Sequence, residues 1–97
     1  MNNDHIEVTD MYLVAALIAY GADYVGVDRA DKRSQRFLFK QPINISEIYV
    51  KKHGVFDIDV IKEPDFDAVK LAYDTTTLLY PPNYSEVLRR VKGIIHT

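Results

Sequence analysis

One stretch constrains the fold of this 97-residue chain more than any other, the ten consecutive apolar residues from Met11 to Tyr20. Thr9 before it is a residue type that caps the start of a helix, and Gly21 after it is the type that ends one in the left-handed conformation. The sequence therefore predicts a helix over 9–20. Because this helix is apolar all round rather than along one stripe, we expect it to be covered on most sides.

The same run is too short to cross a membrane, which takes about 20 apolar residues. The ten residues before Met11 carry three acids and neither lysine nor arginine, which is not the pattern of a signal peptide. The sequence has no cysteine, so disulfides and thiolate metal sites are excluded. We expect a reducing, intracellular setting without a membrane partner.

The composition is that of an ordered globular protein, with 47% hydrophobic and 27% charged residues. We predict a single domain over 1–97, with residues 1–7 as a polar N-terminal arm. The net charge of -2 is not typical of a dedicated duplex-DNA binder, although positive charge is concentrated in two segments.

After the first helix, the sequence predicts an antiparallel β-hairpin over 24–40. It pairs Tyr24–Arg29 with Gln35–Lys40 across a polar turn. Alternation places two phenylalanines, Phe37 and Phe39, on one face, which we expect to pack on the helix. Gly26 marks either a bulge or a close approach of the helix.

The middle of the chain has two interpretations. Residues 45–53 fit either a strand or a short helix that Ser46 caps and Gly54 ends. Alternation over 55–61 predicts a half-exposed strand. A second hairpin joining these segments is favoured, and a mostly helical protein with one hairpin is the alternative.

Two further helices complete the prediction. Asp65 is the expected N-cap of a short helix, and Thr75–Tyr80 is a strand or an extended link. Asn83 is the expected cap of the last helix. The apolar stripe of that helix comprises Tyr84, Val87, Leu88, Val91, Ile94 and Ile95. The predicted fold class is α+β, with three helices packed on a small, mostly antiparallel sheet.

No motif for catalysis or cofactor binding stands out, so we expect neither an enzyme nor a cofactor. Five acids lie close together in the sequence: Asp57, Asp59, Glu63, Asp65 and Asp67. Carboxylates are ligands for Mg²⁺ and Ca²⁺, but the spacing of a calcium loop is missing. We interpret the run as a solvated face and a helix start, with no metal site. A metal-dependent enzyme built on this run is the weakest of three functional hypotheses.

Positive charge defines the one candidate binding surface. Its residues are Arg29, Lys32, Arg33, Arg36 and Lys40 in the hairpin and Arg89, Arg90 and Lys92 on the last helix. They would meet the phosphates of a nucleic acid, or an acidic partner, if the fold brings hairpin and helix side by side. The competing interpretation is a solvated rim, balanced by Asp28, Asp31 and Glu86.

Part of the chain resembles a short domain of unknown function found in bacteriophage and mobile-element proteins. The resembling residues are Thr9–Leu17, Gly21, Val25–Asp28, Phe37–Phe39, Pro82, Tyr84, Leu88 and Lys92. The resemblance covers residues 8–40 and 82–96 and leaves 41–64 as an insertion. It implies a phage or mobile-element origin, a location in the host cytoplasm or the virion, and a small non-enzymatic role.

Two functions therefore lead. The first is a phage-type protein that acts through protein–protein contacts, either as a homo-oligomer or with a larger partner in a structural or accessory role. It is suggested by the all-round apolar helix in a small chain and by the seven tyrosines. The second is a nucleic-acid-binding accessory protein that uses the basic hairpin and the basic face of the last helix.

Overall fold

The computed structural model describes residues 5–29, 35–52 and 57–95. These ranges contain three helices and five strands. In chain order they are β1 (His5–Val8), α1 (Met11–Ala19), β2 (Tyr24–Asp28), β3 (Arg36–Lys40), β4 (Glu47–Lys51), β5 (Ile58–Lys62), α2 (Phe66–Asp74) and α3 (Tyr84–Ile95). The α+β class is confirmed, but the described strands form two small antiparallel sheets rather than one.

The first sheet has the order β1-β3-β2, with β3 in the middle. Phe37 and Phe39 alternate on β3 and are both fully buried in the core. The register of β2 against β3 shifts between Tyr24 and Gly26, as a bulge requires. A Cβ atom at Gly26 would meet no atom within 4 Å. The bulge at Gly26 is therefore correct, and a close approach of the helix there is wrong.

The polar arm predicted for residues 1–7 is wrong from His5 onward. His5–Val8 is β1, in which Ile6 lies opposite Phe39 and Val8 lies opposite Phe37. Its four residues alternate between solvent and core, which is the period of a strand. A strand thus precedes α1 in the chain.

The N-cap of α1 is Asp10 rather than Thr9, one residue later than predicted, and the helix runs from Met11 to Ala19 instead of over 9–20. Oδ1 of Asp10 accepts hydrogen bonds from the backbone N–H groups of Tyr12 and Leu13, at 2.9 and 3.4 Å. The carboxylate also lies at the positive end of the helix dipole. The predicted end is confirmed, since Gly21 has a φ of 98° in the left-handed region.

The predicted cover of α1 comes from the chain itself. The five consecutive residues from Leu13 to Leu17 are at most 3% exposed, so α1 is enclosed on most sides. Helix α3 packs along it, α2 and β1 touch it, and the buried Phe37 and Phe39 belong to the same core cluster. A second molecule is therefore not needed to cover α1, and this part of the case for self-association is wrong.

The second sheet pairs β4 with β5 and settles residues 47–51 as a strand, so the helical alternative is wrong there. The other edge of β4 is also occupied. The N–H of Lys51 donates to the carbonyl of Thr77 at 2.8 Å, and the N–H of Leu79 donates to the carbonyl of Tyr49 at 2.9 Å. Strand β4 thus has hydrogen-bonding partners on both sides, β5 and the extended segment 77–79.

The predicted strand is confirmed over Ile58–Lys62, but four of its five residues are exposed rather than half of them. Ile58 and Val60 lie on the exposed side, and Ile61 packs against the core. Because the carbonyl of Tyr49 accepts from Leu79, the backbone groups of the opposed pair Tyr49 and Val60 point away from each other. The N–H of Val60 therefore faces the outer edge of β5, where Oδ1 of Asp59 accepts it at 2.9 Å.

The last two helices lie where the sequence predicts them, but no capping hydrogen bond to the side chain of Asn83 is present among the described residues. Asp65 is the N-cap of α2, and its Oδ1 accepts the N–H of Ala68 at 2.9 Å. In α3, Val87 and Val91 are buried and the other four residues of the predicted stripe are partly buried against the core. Within the described ranges, no helix has the length and apolar character needed to span a bilayer.

Candidate functional site

One of the predicted basic residues, Arg29, lies at the corner where the β2–β3 hairpin meets the C-terminal end of α3. Nη2 of Arg29 donates to the carbonyl of Ile94 at 2.8 Å, and Nε2 of Gln35 donates to the carbonyl of Ile95 at 3.3 Å. A helix C-terminus is the negative end of the helix dipole, which favours a cation there. The hairpin and the end of α3 therefore touch at this corner, but these contacts do not bring the two basic groups into one surface.

Other basic residues of the set are paired or distant. Arg36 lies 3.5 Å from the carboxylate of Glu7, and Arg90 lies 2.8 Å from that of Glu86. Both pairs are exposed and contribute little to stability. Lys40 is four residues along β3 from Arg36, which separates their Cα atoms by roughly 13 Å.

The remaining four basic residues of the set form none of these hydrogen bonds and ion pairs. Lys32 and Arg33 lie outside the described residues, and Arg89 and Lys92 are exposed on α3. The basic surface as a whole stays a prediction.

The five clustered acids do not assemble into a site within the described chain. Asp59 accepts a backbone N–H of its own strand, and Asp65 caps α2. Across the described ranges, no three histidine, aspartate or glutamate side chains are grouped closely enough to hold a metal ion.

A groove of about 390 Å³ lies between the end of α1, strand β4 and the segment that leads into α3. Three tyrosines and two prolines dominate its walls: Tyr20, Tyr49, Tyr80, Pro81 and Pro82. Among the described residues that line it, Glu47 alone is charged. We call it the tyrosine groove.

Tyr20 connects two walls of the tyrosine groove. It is the C-cap of α1, and its hydroxyl donates to the carbonyl of Leu79 and accepts the N–H of Tyr49, the latter at 3.3 Å. Burial raises the pKa of Tyr20 further above its usual range. The hydroxyl therefore joins α1 to both β4 and the segment 77–79.

Tyr49 is oriented by its neighbours on the outer face of the second sheet. Its hydroxyl donates to the carboxylate of Glu47, whose other oxygen accepts from Nζ of Lys62 at 2.8 Å. The bond from Lys62, and after it the bond from Tyr49, lowers the pKa of Glu47, so this carboxylate is ionised at neutral pH. Val60 lies opposite Tyr49 on β5 and extends the apolar surface beyond the groove.

Tyr80 continues the surface toward the start of α1. Its ring centroid is 4.4 Å from that of Tyr84, with the planes tilted by 41°. The Tyr84 hydroxyl donates to the carbonyl of Tyr12 at 3.4 Å. The Tyr73 hydroxyl donates to Oδ2 of Asp10 at 2.8 Å, next to the same helix start.

These contacts join six of the seven tyrosines into one connected surface, together with two side chains of β5. We call it the tyrosine face, and its residues are Tyr12, Tyr20, Tyr49, Tyr73, Tyr80, Tyr84, Ile58 and Val60. Seven large apolar side chains are exposed in the described ranges, and five of them belong to this face. The other two are Val25 and Leu71.

Sequence reasoning counted the tyrosines as a sign of interaction but identified none as a site residue. They come from α1, β4, α2, the segment before α3 and the first turn of α3. No spacing in the sequence connects these elements, so only the tertiary structure shows that the side chains adjoin.

No protein-family model, curated protein or solved structure matches this chain. The resemblance to the phage and mobile-element domain therefore stays a prediction, and the site alone supports a function.

Proposed function

We propose that this protein acts through protein–protein contacts made by its tyrosine face. The observation that carries the proposal is the collection of five of the seven exposed large apolar side chains on one connected surface that includes a groove. Tyrosine is enriched at interfaces because it offers a large contact area, few rotatable bonds and a hydroxyl that can bind at the wet edge.

The partner binds a folded protein rather than completing its core. Helix α1 is already enclosed by its own chain, so the free energy of folding does not depend on a second molecule covering it. This favours an accessory role in which the partner associates and dissociates, over an obligate assembly in which each protomer is incomplete.

The test is a photo-reactive phenylalanine analogue placed at position 80, with a matched placement at position 71. Both positions carry exposed apolar side chains, but residue 71 is two residues, about 200°, from Tyr73 around α2 and so points away from the tyrosine face. Irradiation in the native cells is expected to give a discrete adduct at position 80 and none at position 71. Equal labelling at both positions, or no adduct at position 80, contradicts the proposal.

Mass spectrometry of that adduct then identifies the partner. An adduct between two copies of this chain shows a homo-oligomer, and one with another chain shows a heterologous complex. Sedimentation of the purified protein across a concentration series provides an independent measure of self-association.

A nucleic-acid-binding accessory role is the second candidate, because Arg29 meets the end of α3 as that hypothesis requires. Anisotropy of labelled single-stranded and duplex oligonucleotides is the measurement. Binding through phosphates weakens steeply between about 50 and 200 mM salt, and it should weaken further in Arg29→Ala plus Arg36→Ala. Absence of binding at the lower salt concentration would exclude this role.

A further inference from the structure

We infer that the tyrosine groove accepts an extended, proline-containing segment of another protein. This inference depends on the proposed protein-binding function and specifies the class of partner.

The size of the groove suits a peptide rather than a second folded domain. Its two exposed tyrosines, Tyr49 and Tyr80, are 40% and 45% exposed, so at about 150–250 Å² for a fully covered aromatic side chain they offer roughly 170 Å². A stable interface buries about 800 Å² on each partner, of which somewhat over half, or about 450 Å², is apolar. The groove volume of about 390 Å³ lies in the range of sites that bind a small ligand.

The chemistry of the walls matches a polyproline II segment. Such a segment has no internal hydrogen bonds, so it presents flat pyrrolidine rings together with unpaired carbonyl oxygens. Aromatic-lined grooves bind these segments through ring packing and hydroxyl or indole donors. Tyr49 and Tyr80 are 40% and 45% exposed, and the Tyr80 hydroxyl has no hydrogen-bond partner among the described residues. That hydroxyl is available to donate to a carbonyl of the peptide.

The charge of the groove argues against a stacked nucleic acid. Single-stranded nucleic acids bind aromatic side chains only where a positive groove follows the phosphates. Here the one charged residue among the lining residues is Glu47, and the cation next to it, Lys62, is already paired with that carboxylate at 2.8 Å. A backbone without phosphates is therefore the better complement.

The test is a titration of the isotopically labelled full chain, followed by amide chemical shifts. The probes are an oligoproline of about ten residues, a glycine-serine peptide of the same length and a short oligothymidylate. Oligoproline is expected to shift the amides of Tyr20, Tyr49, Leu79 and Tyr80, with a dissociation constant below about 1 mM. The glycine-serine peptide should not change the chemical shifts of these amides.

Three variants locate the binding. Tyr80→Ala is expected to weaken oligoproline binding at least about tenfold, as truncation of an interface tyrosine does. Tyr80→Phe keeps the ring and loses the hydroxyl, so its loss should be smaller, and Leu71→Ala should bind like the wild type. If Tyr80→Ala does not fold, the affinity of Tyr80→Phe for oligoproline is compared with those of the wild type and of Leu71→Ala, and it should be the weakest of the three.

Three outcomes overturn the inference. They are equal shifts with the two peptides, shifts with oligothymidylate alone, and the same shifts produced by raising the protein concentration, which indicates self-association. If oligoproline fails while cross-linking at position 80 succeeds, the protein-binding face stands and only the class of partner is wrong. If both experiments fail, the proposed function fails with it.

Discussion

The three-stranded sheet and the two-stranded sheet are both small and antiparallel, but they place their aromatic side chains differently. On β3, Phe37 and Phe39 point into the core and are fully buried. On β4, Ile48 points into the core, while Tyr49 on the opposite face stays partly in solvent. The first sheet therefore supplies core, and the second supplies both core and an exposed apolar surface. Both strands alternate in the same way, but the aromatic residues of β3 occupy its buried positions whereas Tyr49 occupies an exposed position of β4.

The largest effect is expected from the first sheet. Phe39→Ala removes a fully buried aromatic ring and should lower the free energy of unfolding by about 3–5 kcal/mol. Urea denaturation followed by circular dichroism measures this change. A loss below about 1 kcal/mol would mean that the core does not depend on this sheet as the burial indicates.

A smaller loss in the free energy of unfolding is expected from a truncation on the inner face of the second sheet. Ile48→Ala removes fewer buried atoms and is expected to cost about 2–5 kcal/mol, toward the lower end where neighbours relax into the space. Thermal unfolding, compared with Phe39→Ala under the same conditions, checks the order. If Ile48→Ala were neutral, the second sheet would be an appendage rather than part of the core.

The contact between α1 and α2 gives the third prediction. Asp10 caps α1 and also accepts a hydrogen bond from Tyr73 on α2. Asp10→Ala should destabilise by about 1–2 kcal/mol. Asp10→Asn retains a capping oxygen and is the matched control. Equal losses in the two variants would show that the charge, rather than the cap, is what matters.

A smaller effect is expected from the Tyr73 hydroxyl, and it depends on pH. Burial first, then the hydrogen bond to Asp10 and its charge, raises the pKa of Tyr73. Because the pKa is raised by folding, the protonated Tyr73 contributes stability that is fully present below the ordinary tyrosine pKa of about 10. This contribution is lost as the pH rises through the pKa of the folded state. Tyr73→Phe should cost about 0.5–1.5 kcal/mol at neutral pH. The stability of the variant should then fall less steeply than that of the wild type in alkaline solution, while phenolate absorbance shows the loss of one titrating tyrosine.

The smallest effect is expected on the outer face of the second sheet. Ile58 is 57% exposed, so Ile58→Ala should change the free energy of unfolding by no more than about 0.5 kcal/mol. Chemical denaturation alongside Ile48→Ala measures the contrast between the two faces. A cost comparable to that of Ile48→Ala would show that Ile58 is covered in solution, as self-association would cover it.

The elements that could be predicted from sequence are those whose local pattern and tertiary role agree. Helix α3 buries the stripe that its spacing indicates, and Asp65 caps α2 as its position predicts. Strand β1 was missed because four residues with two apolar side chains carry too little periodicity beside a polar start. The cap of α1 was misplaced because Thr9 and Asp10 are both good capping residues, and only the backbone decides between them.

The tyrosine groove could not be predicted from the sequence, for a different reason. The basic residues are neighbours in sequence and were easy to notice, whereas Tyr20, Tyr49 and Tyr80 are about 30 residues apart in the chain. They meet because the segment 77–79 pairs with β4 and the hydroxyl of Tyr20 bonds to both. Such long-range pairing leaves no trace in the local pattern.

The carboxylate of Asp59 has a further consequence. Strand β5 has a partner on one side only among the described residues, and it displays Ile58 and Val60 beside its outer margin. An unpaired, apolar margin of this kind is where copies of a protein stack into fibrils. Asp59 already satisfies the outward N–H of Val60 and brings a negative charge to the middle of this margin, so an incoming chain finds one donor fewer and a charged side chain in its way. This arrangement leaves Ile58 and Val60 exposed on the tyrosine face while it opposes edge-to-edge pairing at the centre of β5.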